Sequence, residues 1–145
     1  MSHARQQIRE AVATLVTGLT TTGSRVFQSR FYRVQASELP ALFIYSTDES
    51  IERETIGTGP YLRRELSIRI EGMAKALDNL DDTLDTIGEE VEDALGGQLP
   101  AGVDDFRISS VSIDYSGEGE QPVGVIRMDF VARYQTAEDN SGSII

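Results

Sequence analysis

With 145 residues, no cysteine and a formal charge of −11, the chain has the size of one domain, able to bury a core without disulfides or a thiolate metal site. Thirteen basic residues against 24 acidic ones argue against tight binding to nucleic acid or anionic lipid, which would need a concentrated basic patch. No apolar run approaches the roughly 20 residues that cross a bilayer, and residues 1–10 lack a signal-peptide core, so no membrane partner and no secretion by that route are expected.

The charge is unevenly distributed. Residues 1–72 hold nine arginines and eight acids, whereas residues 73–145 hold four bases and sixteen acids. Among all the bases only Lys75 is a lysine. Arginine's planar fork suits bidentate contacts to carboxylates between packed surfaces, a composition that fits self-association.

In chain order, residues 3–19 place Ile8, Val12, Leu15 and Leu19 on one stripe of an amphipathic helix, which Gly18 and the 20–23 cluster end. Residues 26–34 read as extended. Residues 41–45 form an uninterrupted apolar run that predicts a central strand covered on both faces. From Thr47 to Pro60 the chain is polar, with Gly57 and Gly59, and reads as a long loop. Residues 61–71 alternate, with Leu62, Leu66, Ile68 and Ile70 on one face and Arg63, Glu65, Ser67, Arg69 and Glu71 on the other. That pattern predicts a half-buried strand, antiparallel to 41–45.

Residues 78–95 carry Leu80, Leu84, Ile87, Val91 and Leu95 at steps of three and four, a second amphipathic helix with Asp78 as its cap and Gly96–Gly97 as its stop. Its opposite face holds Asp81, Asp82, Asp85, Glu89, Glu90, Glu92 and Asp93 with no base among them. Residues 106–115 and 123–134 predict a hairpin around the 117–122 turn. Ile126, Met128, Phe130, Ala132 and Tyr134 mark its inner face, and a parity switch between Ile108 and Val111 implies a bulge. Residues 136–145 are small and polar and are expected to form a flexible C-terminal tail.

The expected fold is therefore α+β in the order α-β-β-β-α-β-β: a mixed, largely antiparallel sheet of four or five strands packed with two amphipathic helices, as a single domain over 1–135.

Catalytic patterns are sparse. The one histidine, His3, stands at the start of the first helix, so a His-based triad or a His-rich metal centre cannot be assembled. No G-x-S-x-G elbow occurs, and the glycines at 57, 59, 117 and 119 lack the spacing of a phosphate loop. Asp78, Asp81, Asp82, Asp85 and Glu89 could ligate magnesium or calcium in a metal-dependent nuclease. From Asp78, however, the third position of a calcium loop is Leu80 and the sixth is Thr83, where oxygen and glycine are needed. These acids read as the solvated face of a helix, and Asp114, Glu118 and Glu120 as solubilising residues around a turn. No catalytic, cofactor-binding or metal residue is assigned, and the chain is read as not an enzyme.

The order of segments across most of the chain resembles the tail terminators of long non-contractile-tailed bacteriophages, the lambda-like minor tail protein family. The resemblance rests on the helix at 4–19, Val26 and Phe27, the acidic, proline-containing entry Glu38-Leu39-Pro40 into the apolar Ala41–Tyr45, the loop with Glu49, Glu52 and Glu54, the strand at 64–70, the acidic helix, and Val111–Tyr115 with Met128–Tyr134. Arg30 and Arg33 in a longer first connection, and the tail after Tyr134, depart from that pattern.

The resemblance implies a homohexameric ring in the virion, at the head-proximal end of the tail. It implies three partners: itself, the tail tube protein and a neck or head-completion protein. DNA would pass through the ring without tight binding, and assembly would occur in the host cytoplasm. Within that reading the loop residues Glu49, Ile51, Glu52, Arg53, Glu54 and Ile56 are the candidate interface, and Arg30, Arg33, Arg63 and Arg69 the candidate charge contacts of the ring. A neck or head-completion connector is the alternative assembly role.

Overall fold

The computed structural model describes residues 2–28, 39–55, 60–75, 79–116 and 123–145. Two helices, α1 (Ala4–Leu15) and α2 (Leu80–Leu95), accompany six strands: β1 (Val26–Phe27), β2 (Ala41–Glu54), β3 (Tyr61–Lys75), β4 (Asp105–Ser116), β5 (Val123–Ala137) and β6 (Asn140–Ile144). The strands lie in the order β1-β2-β3-β5-β4, with β6 added beside the end of β5. Only the short β1 runs parallel to its neighbour, so the sheet is mixed but mostly antiparallel, as the alternation in the sequence predicts.

The frame is the long antiparallel trio β2, β3 and β5. Ile44 faces Ile70, and Ile70 faces Met128, so the apolar residues of three strands share one face. Leu66, Ile68 and Ile70 are each 0% exposed there, a burial worth about 2 kcal/mol per side chain. Ile8 and Val12 of α1 and Leu84, Ile87, Val91 and Leu95 of α2 close the same core. Two glycines let α2 lie close to the sheet: a Cβ on Gly72 would come within 2.7 Å of Ile87, and one on Gly124 within 2.7 Å of Leu84. Among the described residues no helix packs on the other face of the sheet, where Phe43 stacks on Phe27 with ring centroids 5.4 Å apart. The run Ala41–Ile44 is buried on both faces, as a central strand requires.

Four expectations need correction. The segment from Thr47 to Glu54 is not a loop but the continuation of β2, paired with β3 out to Glu54↔Tyr61 across a bulge between Ser46 and Asp48. Three of its charges are held by other segments: Glu49 by Arg5, Arg64 and Tyr134, Arg53 by Glu138, and Glu54 by Arg63. The tail is likewise structured: β5 runs to Ala137, β6 turns back on it, Ile145 N–H donates to Gln135 O at 2.8 Å, and Gln7 Nε2 donates to Gly142 O at 2.6 Å. Backbone hydrogen bonds, the Gln7 side-chain amide and the packing of Ile144 against the core together hold these residues in place. The first helix stops at Leu15 instead of Leu19, because Gly18 takes φ +90° and closes a tight turn in which Leu19 O accepts from Gly23 N–H at 2.7 Å. Finally, α2 starts after Asn79, held at φ 63° with no side-chain cap bond; Asp78 lies outside the described residues.

The bulge expected in β4 is present, as a register shift between Ile108 and Ser110 opposite Phe130 and Asp129. Around it the stripe Phe106, Ile108, Val111, Ile113, Tyr115 stays on the helix side of the sheet.

Candidate functional site

The residues expected to form an interface loop lie on the outer half of β2, where strand alternation separates them. Glu49, Ile51 and Arg53 point to the helix side of the sheet, opposite Leu66, Arg64 and Leu62, while Ser50 and Glu52 point to the other side. Their environments differ sharply.

Glu49 is turned inward, its side chain 6% exposed. Its carboxylate accepts from Arg64 Nη1 at 2.7 Å, from Arg5 Nη1 at 2.8 Å and from the Tyr134 hydroxyl. Arg64, also 6% exposed, donates from Nε to Thr136 Oγ1 at 3.1 Å. One carboxylate thus ties α1, β2, β3 and β5 together. Burial raises the Glu49 carboxyl, but the hydrogen bonds from Tyr134, Arg5 and Arg64 outweigh it and hold the group below its ordinary value. Burial, reinforced by Glu49, pushes the Tyr134 phenol well above its ordinary range. His3 caps α1, its Nδ1 accepting from Arg5 N–H at 3.0 Å, and burial together with the nearby Arg5 and Arg64 lowers its basicity.

Two residues from Glu49, Ile51 is 51% exposed. Arg53 forms an exposed pair of hydrogen bonds to Glu138 at 3.0 and 3.2 Å, and Arg63 sits 3.5 Å from Glu54. Arg69 is bound to Asp129 at 2.8 and 3.3 Å on the helix-free face. There Asp129 is held below the ordinary carboxylate range by Arg69 first, with Ser110 assisting against the cost of burial. The same face pairs Arg133 with Glu65, and Arg127 with Glu71 and Asp114. Ile56, Arg30 and Arg33 lie outside the described residues.

A cleft of about 660 Å³ opens beside the outer half of β2, lined among others by Ile51, Glu52, Arg63, Glu65, Asp105 and Arg133. Charges of both signs line it and Ile51 is its one large aliphatic residue, the character of a wet protein surface rather than of an apolar small-molecule site. Among the described residues no group of three or more His, Asp or Glu converges as metal ligands would. On α2, Asp81, Asp82, Asp85, Glu89, Glu92 and Asp93 are exposed, while Glu90 accepts from Thr21 N–H at 2.9 Å and from its hydroxyl.

The other conspicuous surface is β4. Ile108, Val111, Ile113 and Tyr115 point to the same side as the core yet are 36 to 51% exposed, because α2 packs over β3 and β5. Tyr115 donates its hydroxyl to Asp81 of α2. Charge-led reading of the sequence does not reach this stripe. Nor does it reach Arg64, Tyr134 and Thr136, although strand parity carries the signal: Arg64 stands in phase with Leu62, Leu66 and Ile68.

Compared with known proteins, residues 3–134 match the model of the phage minor tail protein U family. No curated protein shows a significant sequence match. Among solved structures, the chain is similar to one described as "Virion of native gene transfer agent (GTA) particle", at 14% identity and a TM-score of 0.56, over 92% of this chain and 96% of that one. At that identity the likeness concerns the fold alone.

Proposed function

The chain belongs to the phage minor tail protein U family, and we propose that it caps the head-proximal end of a tail tube as a homohexameric ring. In that role it stops tube growth and presents the surface to which the neck proteins of the head attach. It does so as a structural part of the tail, without catalysing a reaction. The observation that carries the reading is that family match, which extends over nearly the whole domain rather than one motif.

The physics supports it. Tube subunits stack head to tail, and such a heterologous contact repeats indefinitely unless one face is covered by a protein that does not offer it again. A ring does this when each subunit is a stiff block with distinct surfaces, and the three long strands β2, β3 and β5 provide that stiffness. The chain's net charge of −11 disfavours tight binding of phosphate, so DNA can pass without adhering.

Complementation tests the reading. Phage lacking the protein are expected to produce overlong tails or tails that fail to join heads; closed tails of normal length in its absence would overturn it. Mass photometry supplies a second check, in which a ring is expected for the protein alone or mixed with tube subunits.

A further inference from the structure

The sheet has two different edges, and the helices beside them differ in charge. α1 holds Arg5, Arg9 and Glu10, with Arg25 just before β1, while the outer half of β2 holds Asp48, Glu49, Glu52 and Glu54 against Arg53. On that side Arg9 hydrogen-bonds Gln28, and Arg25 donates to the carbonyls of Pro40 and Thr21, so neither charge is neutralised by a carboxylate in those contacts. Residues 79–116, which include α2 and β4, hold ten acids and one base, and that base, Arg107, is itself paired with Asp105. The two helices are therefore unlike in charge: α1, over β2, carries arginines, and α2, on the β4 side, carries acids with no base.

Among the described residues, both edges are also left without a neighbouring strand over much of their length. β4 is the terminal strand of the path, and its helix-side stripe of Ile108, Val111, Ile113 and Tyr115 remains exposed. At the opposite edge β1 pairs only with Leu42 and Phe43, so among the described residues no strand covers the outer edge of β2 from Ser46 to Glu54. Ile51 of β2 points to the helix side, as the β4 stripe does, and α1 packs over β2. An exposed strand edge with an apolar row is a template for pairing with another strand unless something blocks it.

We propose that β4 of one copy pairs edge to edge with the outer half of β2 of the next copy, in a head-to-tail contact that continues the sheet around the ring. The occupant of the β4 stripe is thus a second copy of this chain. Its Ile51 extends the apolar row, and its α1 brings Arg9 alongside Asp81, Asp85, Glu89 and Glu92 of α2. The helices select this orientation: two β4 edges would set acidic α2 helices against each other, whereas β4 against β2 sets Arg9 of α1 beside the acids of α2. A contact between two different surfaces of one chain is heterologous, the kind from which a ring is built when its rotation closes, whereas a two-fold dimer joins one surface to itself. The inference rests on the ring reading above and specifies the interface that reading leaves open.

The absence of cysteine makes the test clean. Ser112→Cys on β4 and Ser50→Cys on β2 are both exposed positions. The two full-length proteins, mixed and treated with a short bismaleimide, are expected to give a mixed cross-linked dimer, with little product from either alone. Ile113→Asp is expected to raise the concentration at which the oligomer half dissociates by about tenfold or more, with an unchanged thermal melt. Arg9→Glu is expected to weaken assembly, and Glu89→Arg in the same chain to restore it. Rings that form without the mixed cross-link, or that tolerate Ile113→Asp, would overturn this interface and leave the ring reading standing. Protein that stays monomeric both alone and with tube subunits would overturn both.

Discussion

Glu49 and the β4 stripe lie on the same side of one sheet and face opposite problems. Glu49 is a charge placed where water is excluded, and the chain surrounds it with two arginines and a tyrosine hydroxyl. The β4 stripe is apolar surface left in water, with the nearer helix packed elsewhere. The charge is completed within the subunit; the apolar surface is not. Charged residues on a strand therefore need not mark an interface, and the exposed apolar ones three strands away are better evidence of a partner.

The largest expected effect comes from removing the charge. Glu49→Ala leaves Arg64 buried without its carboxylate and is expected to cost about 3 kcal/mol in folding stability, measured by chemical denaturation. A loss below about 0.5 kcal/mol would mean that the cluster is solvated and does not brace the fold.

A smaller effect should appear on titration. Glu49 titrates in the folded chain below its ordinary value of 4.5, so its contribution is complete above that value and is lost as pH falls through the lower, folded one. Asp129, depressed by Arg69, acts in the same direction below 3.8. Melting temperature is therefore expected to drop as the pH is lowered below 4.5, and to drop less steeply in Glu49→Gln. Equal slopes in the two proteins would assign acid sensitivity to other carboxylates.

The smallest effect on folding is expected at β4. Ile113→Ser, at a position 39% exposed, should change monomer stability by less than about 0.5 kcal/mol while weakening self-association. A large loss of stability at monomeric concentration would show that the stripe is covered within the subunit, which would erase the contrast with Glu49.

Much of the fold was legible before the structure. Strict alternation in 61–71 and 123–134 identified the strands and their inner faces, and the parity switch near Ile108 located the bulge. The outer half of β2 was not legible. The run Asp48–Glu54 is dense in charge, and its role as a strand depends on Arg64, Arg63, Tyr134 and Glu138, which are distant in sequence. The tail after Tyr134 was obscure for a related reason: β6 is held by backbone hydrogen bonds, which small polar residues do not advertise.

The sequence by itself determined the α+β class, the order of elements, the core faces of both helices and the family resemblance, because periodicity and element order are local properties carried along the chain. Only the tertiary structure decided which charges are internal and which apolar residues are left uncovered. Those outcomes depend on where α2 comes to rest over β3 and β5, and on which strands end the sheet, neither of which a local pattern encodes.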